Sequence, residues 1–298
     1  MTTFVQLCAS GLALGAAYAL VALGFVVIYR ASSVFNFAHG ELLAFGAMLM
    51  TTLAGAGLPW AAALALTMAL TGLLGAAVER VALRPLVGRP VFVTIILTIF
   101  VGLLLRAAIV ILWGPDPRGM PTPWERTATV SILGASVLES SLAAVAAGAA
   151  ALLLFFVLIK RSRLGVAMRA TANDQEVALA LGIRVGRVFG QSWFLAGAYA
   201  ALAGVFLSMF PSNAEPNLGF VALRAFPAVI VGGLDSPPGT VIAALLLGLL
   251  EVLAQGYINP RLGDFGHNVH TVIPYLAMIL FLIVRPYGIF GHREVERL

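Results

Sequence analysis

Eight apolar runs follow one another along this chain: Phe4–Tyr29, Leu42–Ala56, Trp60–Leu83, Phe92–Trp113, Leu142–Ile159, Gln191–Phe210, Thr240–Tyr257 and Thr271–Val284. A helix that crosses a bilayer needs about 20 predominantly apolar residues. With 298 residues, 61% hydrophobic and only 10% charged, the chain carries far more apolar surface than a water-soluble core could hide, because soluble domains run near 25% charged. Lipid is therefore the solvent. The expected fold is an all-α integral membrane protein, a polytopic bundle of about eight transmembrane helices with one short or broken segment. Residues 1–298 then form a single transmembrane domain. The short segment is Leu223–Val231, which ends at the helix-breaking Gly232–Gly239 stretch. The first run lacks the basic flank of a signal peptide and is too long for its apolar stretch, so it reads as a retained span.

Charge then sets orientation. Six of the 18 basic residues (Lys160, Arg161, Arg163, Arg169, Arg184 and Arg187) crowd into the loop at 160–190. If that loop faces the cytoplasm, alternation places thirteen basic residues inside. Only Arg118, Arg126, Arg224 and Arg261 fall outside. This is a positive-inside pattern and not a nucleic-acid footprint. It puts the N-terminus outside and the C-terminus inside. The longest outer loop, 114–141, is rich in proline, and Ala128–Ile132 within it reads as a short strand. It either receives a soluble extracytoplasmic protein or simply connects two spans.

Within the polar loop, Asn173 is placed to cap a helix beginning at Asp174, with Glu176 three residues on as in a capping box. Gly182 supplies the stop. Between them Val177, Ala178, Ala180 and Leu181 offer a small apolar surface suited to a partner's groove; the plainer reading is a loop helix lying on the membrane. A second motif, Asn36-Phe37-Ala38-His39-Gly40-Glu41, opens the second apolar run. Ionisable residues at membrane depth are costly unless partnered or facing a wet path. Asn36, Phe37, His39 and Glu41, with Gly232 and Gly233 of the break, are thus candidates for a translocation path or gate; capping and bundle cohesion is the competing role. Arg106, Glu139 and Glu251 are further intramembrane charges that pair, face a cavity or snorkel. Gly15–Leu20 resembles Gly197–Leu202, on spans predicted to run in opposite directions, as inverted repeats would. Asp264, His267 and His270 have metal-like spacing, but a solvated segment explains them better, and no metal is expected.

The single lysine, Lys160, follows no glycine loop, so a GxxxxGK[ST] phosphate loop is impossible; GxSxG, HExxH and CxxC are absent too. Nothing marks an enzyme.

With these motifs joined, the chain resembles the permease subunits of branched-chain amino acid ABC importers, the LivH type. The likeness is carried by GLALGAAYALVALGFVVIYRASSVFNFAHGELLAFGA (Gly11–Ala47), MRATANDQEVALALGI (Met168–Ile183), AFPAVIVGGLDSPPGTVIAALLLGLLE (Ala225–Glu251) and RPYGIFG (Arg285–Gly291). The resemblance implies a pore in the bacterial inner membrane shared with a second, LivM-like permease. It also implies two ATPase subunits that hold the ATP and Mg, no cofactor on this chain, and a periplasmic protein that delivers leucine, isoleucine or valine. It makes Glu176 to Gly182 a coupling helix on an ATPase. Of the EAA-x3-G loop of many such importers, Glu176, Ala178 and Gly182 fit; Val177 departs, and the downstream Ile-x-Leu-Pro part is missing. Amide, urea or sugar permeases of the same broad class remain alternatives for the cargo. An ion-coupled secondary transporter using His39, Glu41, Arg106 or Glu251 is the alternative from outside it.

Overall fold

A computed structural model describes residues 2–86, 89–125, 127–132, 134–209, 213–263, 268–286 and 288–290. Helix α1 (Thr2–Ser32) is followed by an irregular stretch and α2 (His39–Gly55). Helix α3 (Trp60–Val78) continues through a π turn and a 3-10 turn to Leu86, and α4 covers Val91–Trp113. A hairpin of β1 (Thr129–Ile132) and β2 (Ala135–Leu138) leads into α5 (Glu139–Arg161). Two short helices, α6 (Arg163–Asn173) and α7 (Gln175–Ala180), precede α8 (Val185–Leu207). The chain closes with α9 (Val221–Gly232), α10 (Pro237–Tyr257) and α11 (Ile273–Val284).

Six of these helical stretches are long and apolar enough to cross a membrane: α1, α3 with its continuation, α4, α5, α8 and α10 with the turn after it. The other two expected spans are shorter. The run at 42–56 becomes α2, of 17 residues, and the run at 271–284 becomes the 12-residue α11 behind one 3-10 turn. Helix α2 is short because it does not start at the end of the bundle. After Ser32 the chain turns back, and His39 packs its ring against Gly24 of α1 while Ala38 lies beside Gly102, halfway along α4.

The bundle has two distinct ends. One carries the β-hairpin, tied to the start of α1 by the Gln6 side-chain amide, which donates to the Ser136 carbonyl. The other carries α6 and α7. Helix α1 begins at the hairpin end and α8 at the loop end, so they run oppositely. Both are largely buried, whereas α3, α4 and α5 leave most of their surface exposed. Helix α1 packs chiefly on α10, α8 chiefly on α3, and the two pack on each other. The order long central helix, break, shorter helix, two more helices thus occurs twice, in α1–α4 and α8–α11. This is what an inverted repeat requires and what the paired Gly-Ala-Tyr stretches suggested.

Glycine makes the close packing possible. Side chains at Gly11 and Gly15 would strike the α10 backbone at Leu249 and Leu245; one at Gly197 would strike α3 at Thr71 and Gly72. In lipid, where apolar burial gives helices no reason to associate, such backbone contact supplies much of the cohesion.

Candidate functional site

Non-helical backbone is tolerated at membrane depth only when protein or water satisfies it. In the stretch 33–38 protein groups meet that condition for part of the backbone, while the buried Asn36 side-chain nitrogen has no partner. The Phe37 amide donates to Thr98 Oγ1 (3.2 Å), the Asn36 side-chain oxygen accepts from the Ala38 amide (3.0 Å), and the His39 amide donates to the Asn36 carbonyl (3.2 Å). His39 is fully buried; its Nε2 bonds the Val21 carbonyl at 3.1 Å, which fixes the proton on that nitrogen, and Phe25 meets its ring edge-on. Asn36 is buried as well. Neither residue reaches an open surface in this conformation.

Glu41 is different. On the first turn of α2 it accepts two hydrogen bonds from Arg106 of α4, 2.6 Å from Nη2 and 3.3 Å from Nε. The guanidinium also stands 4.0 Å over the Phe220 ring. Phe220 ends a 3-10 turn, Pro216–Phe220, that follows a second break after α8. A side chain on Gly40 would collide with the Gly219 carbonyl, so the two breaks touch through glycine. Around this crossing lies a cavity of about 190 Å³, bounded by Glu41 and Arg106 and by Phe25, Phe37, Leu103 and Phe220.

The structure separates the remaining candidates from this cluster. Gly232 and Gly233 form a tight turn at the loop end, where Asp235 interacts with Arg30. Gly233 has φ +102°, and Ser236 caps α10 by accepting from the Gly239 amide. A side chain on Gly232 would strike Gly239 and Thr240, and the Ile289 amide bonds Val231 from the tail. The link back is through α9, whose Phe226 touches Phe25, Phe35 and Phe37.

Arg224, counted by sequence among the charges on the outer side, lies on the first turn of α9, which is the expected short segment. It reaches Glu251 at 3.8 Å, and Tyr18 donates to the other carboxylate oxygen at 2.8 Å. Another pair escaped sequence reading although it is nearly local. Arg84 grips buried Glu79 with two hydrogen bonds and also donates to the Gly186 carbonyl, fastening α3 to the start of α8. Asp264 and His267 lie outside the described residues; His270 bonds the Asn259 side chain.

At the loop end, Asp174 and not Asn173 is the cap of α7. Asp174 is extended (φ −160°) and its carboxylate accepts from the Glu176 and Val177 amides, while Asn173 closes α6. The polar loop therefore holds two helices where one was expected; Ser162, which accepts from the Gly165 amide, starts the missed one. Gly182 ends the unit at φ +81° as anticipated. Ala178 is turned inward onto Ala31, Val185 and Phe189, so the free apolar surface is made by Val177, Leu179 and Leu181.

Long apolar helices around two breaks that meet at depth, with a small helix seated on one end, define a polytopic membrane permease. The chain belongs to the family described as the branched-chain amino acid transport system permease component, which it matches over residues 7–282. Its members are non-catalytic subunits. It is 32% identical to BraD, the high-affinity branched-chain amino acid transport system permease protein of Pseudomonas aeruginosa, over 99% of this chain and 98% of that one. It is 31% identical to the corresponding LivH of Escherichia coli K12, over 99% and 97%. A ribose import permease, RbsC of Bacillus subtilis, aligns at 28% identity over only 44% of this chain. PsaBC from Streptococcus pneumoniae, solved in complex with a Fab, shares the fold, with a TM-score of 0.50 and 13% identity across 96% of this chain and 92% of that one.

Proposed function

We propose that this chain is the membrane-spanning permease subunit of an ATP-driven importer for branched-chain amino acids in the bacterial inner membrane. An extracytoplasmic binding protein delivers the cargo at the hairpin end. A second, homologous permease completes the pore, and two ATPase subunits, which hold ATP and Mg, supply the drive. The N-terminus lies outside and the C-terminus in the cytoplasm.

The observation that carries the reading is the seating of α7. Ala178 anchors it on the ends of α1 and α8, while Val177, Leu179 and Leu181 stand free in a loop that holds six of the chain's 18 basic residues. An apolar crest on a short helix, held from beneath by the two central helices, suits a groove on an ATPase. Asn173, Asp174, Glu176 and Gly182 shape the unit. The path follows the breaks: Asn36, Phe37 and His39 hold the first in place, Glu41 faces the cavity, and Gly232 and Gly233 set the turn beneath α9.

The test is reconstitution in vesicles. The chain alone should show neither ATP hydrolysis nor uptake. The full assembly with its binding protein should take up leucine, isoleucine or valine only with ATP. Ion-driven uptake by the chain alone would overturn the proposal.

A further inference from the structure

The cavity at the crossing of the two breaks joins apolar walls to an ion pair. Its walls are aromatic and aliphatic (Phe25, Phe37, Leu103 and Phe220), and one side is a carboxylate and a guanidinium locked together. Arg106 keeps about a quarter of its side chain exposed (23%), and Leu103 and Phe220 are more than half exposed at the mouth. An ion pair at this depth with an open mouth is unfavourable against hydrocarbon, and such groups mark solute routes. Arginine carries five N–H donors, of which the pair with Glu41 occupies two; the carboxylate likewise keeps acceptor sites free. The cavity therefore presents, side by side, donors for a carboxylate and acceptors for an ammonium group, next to an apolar pocket. Its volume of about 190 Å³ lies below the roughly 300–1,000 Å³ of sites for drug-sized ligands.

We infer that Glu41 and Arg106, with Phe220 beneath the guanidinium, form a transient binding site for the zwitterionic head of a small α-amino acid, its aliphatic side chain lying against Phe37 and Leu103. The inference rests on the proposed import function and adds the residues that touch the cargo. Both charges already satisfy each other, so cargo competes with an existing ion pair. Binding is weak by construction, which suits passage and not storage.

The experiment uses the assembled transporter without its binding protein. The native cysteine is replaced (Cys8→Ser) and a single cysteine is placed at the mouth by Leu103→Cys. Labelling by a small maleimide is read on this chain by peptide mass, with and without millimolar leucine. Leucine should slow labelling at least fivefold. 3-Methylbutylamine and 4-methylpentanoate, each with one charge only, should slow it less than twofold, and Arg106→Gln should remove the protection by leucine. Equal labelling with and without leucine, or equal protection by the single-charge analogues, would overturn the site. Leu223→Cys serves as a second reporter; if neither cysteine reacts, the mouth is closed and the site is refuted. Leucine uptake by the complete system is measured in parallel. Uptake without protection removes this site alone, whereas absence of uptake removes the import reading and the site with it.

Discussion

The imidazole of His39 fills the space left by Gly24: a Cβ on that glycine would land on the ring. The start of α2 is thereby clamped to α1, by shape at Gly24 and by the hydrogen bond to the Val21 carbonyl. A side chain larger than hydrogen at residue 24 must expel the ring.

Gly24→Val should therefore destabilise the chain by about 1–3 kcal/mol, the usual cost of overpacking a tight core. His39→Ala leaves a hole in the same place, so Gly24→Val with His39→Ala should recover much of the loss. Thermal unfolding of the purified complex, read as a double-mutant cycle, checks this. Additive losses would show that the two residues do not share the space.

On α7 the expected split is between neighbours. Val177→Cys and Leu181→Cys should crosslink to the ATPase and react readily in the free permease. Ala178→Cys should react slowly, because Ala178 is nearly inaccessible (1%). Val177→Glu with Leu181→Glu should cut uptake at least tenfold while membrane insertion stays normal. Unchanged uptake would make α7 an ordinary surface helix.

Glu79 is a buried acid with Arg84 as its ion-pair partner. Arg84→Met should cost roughly 1–3 kcal/mol, since a buried acceptor is left without its donors. Glu79→Gln in the same chain should restore part of that stability, because the amide carries no charge to strand. Denaturation midpoints of the single and double variants decide; no rescue would mean that the Gly186 contact carries the effect.

Orientation is tested by thiol accessibility in spheroplasts. Ser162→Cys should react only with reagent admitted to the cytoplasm, and Thr122→Cys only with reagent outside. Reaction of both from one face would break the helix count between α4 and α6.

The residue types and local signals were readable in the chain itself: long apolar runs, the stop at Gly182, the break at Gly232, a polar motif from Asn36 to Glu41. What was not readable depends on contacts distant in sequence. Glu41 and Arg106 stood out as isolated charges, and only folding across 65 residues shows one to be the partner of the other. Gly40 and Gly219 gave no sign of touching, since glycine is common throughout. The sequence points to Asn173 as the cap of α7, one residue early, because Asn and Asp cap equally well; backbone conformation alone chooses Asp174. Leu179 was passed over in favour of Ala178 because the helix's azimuth is set by α1 and α8, which six residues cannot encode. Glu79 and Arg84 were close enough to suspect, but a π turn, not a regular helix, brings them together.

Ala31, under α7, and Gly24, under His39, are seven residues apart on one uninterrupted helix, about 10 Å along its axis. Two turns of rigid rod join them, with no proline, glycine pair or loop in between to take up slack. The seat of the small helix and the turn that holds His39 are therefore built on one continuous piece of helix.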